Sequence, residues 1–328
     1  MRIGQIGIGH AHAAGKARVL RESNLVEFAG IFEPHPSAIA TVRDQPAYAG
    51  VRWLSESEIL EDRSIAGVFI ETLPLENLRW ARAALEAGKH VLVDKAPGVS
   101  LSELRGVLAL AEERGLHVQM GYQFRFNPAF EFAINAFRSG LLGEIFKIEA
   151  EIPTSQRGYE ERGRDVALYP GGTFYELACH FVDLVVALLG TPEKVTSILR
   201  ADYHQGGQQP YIDNTLAVFE YDRAMAVIQS WAMGIEPSVH RRFEIYGTRG
   251  SIRVEPIEPP RLQLCLARQE GGFQGGWQEV AVGDRPRFVG DLEEFVAVAS
   301  GQRPPLYAAA HDLAVQAALL RACGVGDE

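Results

Sequence analysis

The chain opens "MRIGQIGIGHAHAAGKARVL" (residues 1–20), and the order of residue types in this stretch decides the first half of the fold. The compact apolar run Ile3 to Ile8 reads as a buried strand, Gly7 and Gly9 as a tight turn, and the alanine-rich Ala11 to Leu20 as helix. Strand, turn and helix in that order aim the backbone N–H groups around Gly7, Ile8 and Gly9 at a helix start. A pyrophosphate is stabilised there by unpaired donors and the helix dipole. His12 stands at the third position of the GxGxxG pattern, where glycine normally lets helix and strand pack closely, and Gly15 lies nearby.

Working outward, "LVEFAGIFE" (25–33) is a second strand ending in Glu33, 24 residues beyond Gly9. That is the spacing of an acid that accepts the adenosine-ribose hydroxyls. Its charge would repel a 2′-phosphate, and Pro34, His35 and Pro36 offer no arginine to bind one, so NAD is favoured over NADP. A strand at "IAGVFIETLP" (65–74), a helix at "LENLRWARAALEAG" (75–88) and a strand at "HVLVD" (90–94) continue the alternation. Alternating strands and helices predict a parallel sheet covered on both faces. Ligands collect at the carboxyl ends of such strands, which groups the glycine turn, Glu33, Thr72 and the Asp94–Lys95 pair along one edge.

The segment "GGTFYELACHFVDLVVALLG" (171–190) reads as a buried helix, yet it carries Glu176, His180 and Asp183. Residues three or four apart share a helix face, so these three form one polar stripe while Leu177, Phe181, Leu184 and Val185 can pack. A core histidine beside a paired buried acid is one reading. A catalytic cluster is the other, since buried carboxylates are unfavourable unless partnered and titratable clusters gather at sites.

At 328 residues two domains are expected. The net charge of −10 argues against a nucleic-acid partner, whose footprints are basic. No window approaches the length of a membrane span and no signal-peptide pattern opens the chain, which predicts a cytoplasmic protein. Cys179, Cys265 and Cys323 are scattered and odd in number, which suits a reducing compartment. His10 and His12 form an HxH and Glu176 and His180 an ExxxH, but no further Cys or His completes a tetrahedral set, so no metal is expected. In the loop "SQRGYEERGRD" (155–165), Arg157, Arg162 and Arg164 could bind an acidic sugar. Glu160, Glu161 and Asp165 interleave with them and favour a mutually compensated, solvated loop.

Longer stretches resemble the glucose-fructose oxidoreductase and inositol dehydrogenase (Gfo/Idh/MocA) family. "AALEAGKHVLVDKAPGVSLSEL" (83–104) is similar to the family's Glu-Lys-Pro signature, "GYQFRFNPAF" (121–130) to its Arg-Phe-x-Pro stretch, and "GGTFYELACHFVDL" (171–184) to its Asp-x-x-x-His-x-x-Asp segment. "FEIYGTRGSIRV" (243–254) and "DLEEFVAVASGQRPPLYAAAHDLAVQAALL" (291–320) are similar to its C-terminal strand pair and closing helices. Departures are Ala96 in the proline position of the lysine motif with Pro97 after it, Leu73 for a proline with Pro74 beside it, Asn77 for a histidine, and Glu176 for the first aspartate.

The resemblance implies an α/β protein with a doubly wound, parallel-sheet Rossmann domain over residues 1–120. It also implies an α/β substrate-binding and oligomerisation domain with a mainly antiparallel open sheet over 121–328, its last helices packing back on the first domain. It implies an NAD-dependent oxidoreductase that takes hydride from a sugar, cyclitol or related hydroxy compound and assembles as a homodimer or homotetramer. His180 would be the general base, Glu176 would orient or polarise substrate, and Asp183 would hold hydroxyls or tune His180. Lys95 would donate to the reacting oxygen and the cofactor. His10, His12, Leu73, Asn77, Asp94 and Gln123 join the cofactor-binding positions. A glycosidase using NAD for transient oxidation and a non-catalytic NAD-sensing regulator are the alternatives, and retention of Lys95 and His180 argues against the sensor.

Overall fold

The computed structural model describes residues 1–155, 166–203 and 211–326, so the loop positions Arg157, Glu160, Glu161, Arg162, Arg164 and Asp165 lie outside the described residues. The chain divides into two compact units. Met1–Gln123 and Pro286–Leu313 form the first, and Phe124–Arg285 with residues 314–326 forms the second.

The first unit is built on strands β1 (Arg2–Ile6), β2 (Glu27–Phe32), β3 (Trp53–Leu54), β4 (Gly67–Ile70), β5 (His90–Asp94) and β6 (Val118–Gly121). They form one sheet in the order β3-β2-β1-β4-β5-β6 with every pairing parallel. This is the expected Rossmann order. Burial is nearly continuous along β1, β4 and β5, as a sheet covered on both faces requires. β1 stops at Ile6, two residues short of the apolar run, because Gly7 turns the chain at φ 89°. The following helix starts at Ala13 rather than Ala11, since His10 N–H is tied to Glu71 O at 3.0 Å and the turn extends through His12.

Local chemistry sets the other boundaries. The helix Pro74–Glu86 opens with proline at its first position, where no N–H is needed. The helix Leu101–Arg114 is capped by the Ser100 side chain accepting from Glu103 N and ends at Gly115 in the left-handed region. The helix Val289–Ala299 belongs to this unit. Phe288, Leu292 and Phe295 join Ile3, Val19, Leu20, Phe69 and Leu92 in one cluster, each large side chain contributing roughly 1.5–3 kcal/mol by burial. The cis peptide bond of the lysine motif is Lys95–Ala96; Ala96–Pro97 is not cis.

The second unit holds β7 (Ile145–Glu151), β8 (Lys194–Arg200), β9 (Asn214–Glu220), β10 (Met225–Trp231), β11 (Arg242–Gly247), β12 (Gly250–Val254), β13 (Leu262–Leu266) and β14 (Gly276–Val280). Their order is β14-β13-β12-β11-β7-β10-β9-β8, antiparallel except for β7 with β10. Alternating burial along β9, β10, β12 and β13 marks a sheet with one packed face. The helices Pro128–Arg138 and Cys179–Leu189 contribute Phe130 and Phe181. These pack with Phe124 and Phe243 at ring-centroid distances of 5.1–6.3 Å.

The segment 171–190, read as a single buried helix, holds two elements: a π-helical turn, Phe174–Ala178, running into the α-helix Cys179–Leu189. Its start is pinned by Gly171 and Gly172 at φ 70° and 52° and by Thr173 N donating to Ile212 O at 2.9 Å. A 3.6-residue pattern does not register the wider turn, a feature frequent at functional sites.

Candidate active site

In the first unit the polar residues of the sheet's carboxyl edge converge. A Cβ on Gly7 would lie 2.5 Å from Thr72 Cγ2 and 2.8 Å from Thr72 N, so only glycine lets the turn pass so close to the end of β4. Glu33 follows β2 and is buried; its Oε2 accepts from Ile8 N at 2.8 Å and its Oε1 from His35 N at 2.7 Å. Burial raises its pKa, against the lowering effect of those two donors. Each carboxylate oxygen carries a second lone pair, so the backbone bonds orient Glu33 without exhausting it as an acceptor.

Thr72 Oγ1 donates to Asn77 Oδ1 at 2.7 Å, and Asn77 Nδ2 donates to Asp94 O at 3.0 Å. Both ends of the buried Asn77 are thus engaged within the protein, holding the β4 turn to the end of β5. Leu73 flanks Gly9, whose Cβ would lie 3.3 Å from it. Lys95 is buried, and its backbone N donates to Asp94 Oδ1 at 2.7 Å. Gln123, nine-tenths buried, closes this unit's main segment.

Asp94 is fully buried and gathers three side-chain nitrogens. His10 Nδ1 lies 2.8 Å, His12 Nδ1 3.1 Å and Lys16 Nζ 3.4 Å from its Oδ2, and Lys16 Nζ is also 3.1 Å from Glu71 Oε1. Burial opposes the Asp94 charge, but His10, Lys16 and His12 hold its carboxyl well below the usual range. Burial and the Asp94 charge push Glu71 well above its usual range, with Lys16 opposing. Burial lowers His12 to about 3, which leaves it a neutral imidazole. The ring of His12 fills the space expected of a third glycine by packing at 5.1 Å from Phe288 and 4.6 Å from His10.

His10, His12 and Asp94 bring three potential metal-ligand atoms within 4.8 Å. The Lys16 ammonium already supplies a positive charge there, and a cation in the same place would meet its repulsion. Lys16 was not a candidate on sequence. The signal was present, because it falls on the same helix face as the buried Ala13 and Leu20.

In the second unit the stripe residues are all buried: Glu176 on the π turn, His180 and Asp183 on the α-helix. Arg125 forms a bidentate ion pair with Asp183, Nε to Oδ2 at 3.0 Å and Nη2 to Oδ1 at 2.6 Å, with side-chain exposures of 3% and 0%. Asp183 is therefore anchored by an arginine that sequence reasoning passed over, although it sits between the buried Phe124 and Phe126 in the quoted "GYQFRFNPAF". The His180 ring packs 4.8 Å from Phe124 on the margin of the aromatic core.

Residues 1–122 match the oxidoreductase family with an NAD-binding Rossmann fold, and residues 130–253 match the GFO/IDH/MocA C-terminal domain. The chain belongs to the GFO/IDH/MocA oxidoreductase family. This member is 27% identical over 318 residues to the uncharacterized oxidoreductase YdgJ of Escherichia coli K12, covering 95% of this chain and 88% of that protein. It is 24% identical to scyllo-inositol 2-dehydrogenase (NADP(+)) IolW of Bacillus subtilis, over 72% of this chain and 63% of that protein. Its fold superposes on UDP-N-acetylglucosamine 3-dehydrogenase GnnA from Acidithiobacillus ferrooxidans with a TM-score of 0.80 at 22% identity, covering 98% and 96% of the two chains. The GFO/IDH/MocA member described here is an NAD-binding dehydrogenase.

Proposed function

We propose that this dehydrogenase oxidises a CH–OH group of a sugar, cyclitol or related polyol with NAD. The observation that carries the reading is the buried Glu176, His180 and Asp183 stripe, with Asp183 anchored by Arg125. Relatives whose names specify an inositol and a nucleotide-linked amino sugar support the substrate class. The glycine turn, whose backbone passes where no Cβ could, supports a pyrophosphate site, and the buried Glu33 at the end of β2 supports an acceptor for ribose hydroxyls. Bound NAD supplies the hydride acceptor for the carbon that loses hydrogen.

The protein's own residues handle the proton and the charge. His180 takes the hydroxyl proton as the carbon–oxygen bond becomes a carbonyl, Glu176 orients the reacting hydroxyl, and Asp183 with Arg125 fixes the polar surroundings. Lys95 stabilises developing alkoxide charge through its ammonium. Screening inositols, sugars, sugar acids and nucleotide sugars for NADH production tests the assignment. Absence of NADH with every panel member, alongside NAD-dependent cleavage of aryl glycosides, would replace it with the transient-oxidation reading.

We further propose that the protein pairs through the open face of the second unit's sheet. That face presents Ile198, Met225 and Trp277, each about half exposed or more, beside the Arg242–Glu244–Arg253 charge network. Light scattering of the wild type and of Trp277→Glu checks this; a monomeric wild type would end it.

A further inference from the structure

Lys16 is a lysine with no exposed surface, one turn into the helix that follows the glycine turn. Its ammonium lies 3.1 Å from Glu71 Oε1 and 3.4 Å from Asp94 Oδ2, flanked by the rings of Phe288 and Phe69 at 5.6 and 6.0 Å. Room for it comes from Gly121 at the end of β6, where a Cβ would meet Lys16 Nζ at 2.7 Å and Asp94 Oδ1 at 2.9 Å. A buried ammonium is tolerated only with partners, and here the carboxyl groups of Glu71 and Asp94 lie beside the ammonium while the buried Asp291 adds a further negative influence on it. The second oxygen of Asp94 links this cluster to the lysine motif: Oδ1 receives the backbone N–H of Lys95 at 2.7 Å and also lies 3.2 Å from His12 Nδ1.

We propose that Lys16 is a positioning residue for the dehydrogenase reaction: it holds Asp94 as a carboxylate in one pose, and Asp94 holds the peptide that carries Lys95. The chain of contact runs Lys16 Nζ, Asp94 Oδ2, Asp94 Oδ1, Lys95 N, all within the first unit. The directions of titration agree. Asp94 is held ionised by His10, Lys16 and His12 against its burial, while Glu71 is pushed toward the protonated form. Of the two carboxyl groups beside Lys16, Asp94 is thus the one favoured as a carboxylate and Glu71 the one that takes a proton more readily, with His12 neutral. Removing the ammonium leaves Asp94 to His10, His12 and Glu71, so its carboxylate is less favoured and its bond to Lys95 N weakens.

The experiment is amide hydrogen exchange by NMR in Lys16→Met, without cofactor or substrate, with Val91, Leu92 and Val93 of β5 as internal references. Weakening a charge-assisted bond should speed exchange at Lys95 N by roughly 10- to 10²-fold while the references stay within about twofold. The Lys95 amide proton shift should also acquire an acid-range inflection at higher pH than in wild type, as Asp94 becomes easier to protonate with His10, His12 and Glu71 still facing it. Unchanged exchange and an unchanged titration at Lys95 in a folded Lys16→Met protein overturn the proposal.

Should Lys16→Met not fold, Asp94→Asn is compared with Asp94→Asn/Lys16→Met. The substituted amide still offers an oxygen to Lys95 N but no charge for Lys16 to hold, so the second change should add less than about twofold; a further tenfold acceleration overturns the proposal. The catalytic consequence rests on the role given to Lys95 above. Once a substrate is in hand, kcat of Lys16→Met should fall about 10²-fold with KM and NAD affinity nearly unchanged. The exchange measurement needs no turnover, so failure of the dehydrogenase reading and failure of this proposal give different results.

Discussion

At the scale of single residues, most named positions are held before any ligand arrives. Glu33 is oriented by two backbone N–H donors, and in its proposed role its charge would oppose a 2′-phosphate. Glu33→Ser should weaken NAD binding by about tenfold and narrow the gap between NAD and NADP, read by titrating both cofactors against protein fluorescence. A wild-type protein that prefers NADP would remove Glu33 from its role. His180 packs against Phe124, so Asn can replace it without a large void. His180→Asn should lower kcat by ~10² to 10⁴-fold and abolish the acid-limb inflection, the rise of the oxidation rate with pH, with KM and Tm little changed. A structural histidine would give the reverse pattern, a lower Tm with normal turnover.

At the scale of elements, the π turn joined to the helix Cys179–Leu189 decides where Glu176 points relative to His180. Gly172 sets its start at φ 52°, where an added Cβ would come within 2.0 Å of Ile212 O. Gly172→Ala should destabilise by about 1–3 kcal/mol from backbone strain alone and move the Glu176 turn, measured as a loss of Tm together with a rise in KM. The Arg125–Asp183 pair ties the stretch before the helix Pro128–Arg138 to the helix Cys179–Leu189. Arg125→Met should cost about 3–5 kcal/mol, because it removes the bidentate partner of a buried carboxylate. Arg125→Met/Asp183→Leu should regain most of that loss by packing while staying inactive. Recovery of turnover in the double variant would confine Asp183 to a scaffolding role.

At the scale of the whole molecule, acid should destabilise the fold in part through histidines kept neutral. Burial lowers His117 to about 4, and burial also lowers His90, whose Nδ1 accepts from His117 N at 2.9 Å. Folded pKa values below the unfolded 6.5 mean that the unfolded chain binds more protons. Stability present above about pH 6.5 is therefore lost as pH falls toward about 4. Glu71, whose pKa is raised, acts with the opposite sign and favours the fold as pH falls. His117→Gln isolates the histidine contribution: its Tm should fall less than wild type between about pH 7 and about pH 5. Parallel curves for the two proteins would show that His117 does not contribute.

The sequence by itself determined the first sheet, because its strands are local apolar runs separated by glycine turns and amphipathic helices, and a right-handed crossover leaves few other ways to connect them. Glu33, Thr72, Asp94 and Lys95 were legible for the same reason, since strand ends converge on one edge. The polar stripe at Glu176, His180 and Asp183 was legible as an anomaly in an apolar helix. Only the tertiary structure decided which partner satisfies each buried charge. Arg125 lies 58 residues from Asp183, and Lys16 meets Glu71 and Asp94 from strands far along the chain. Such pairings depend on which elements pack together, and periodicity within one element carries no information about them. The π turn was hidden for a related reason. It rests on Gly171 and Gly172 in left-handed backbone and on the Thr173–Ile212 hydrogen bond, a contact that exists only once the second sheet has formed.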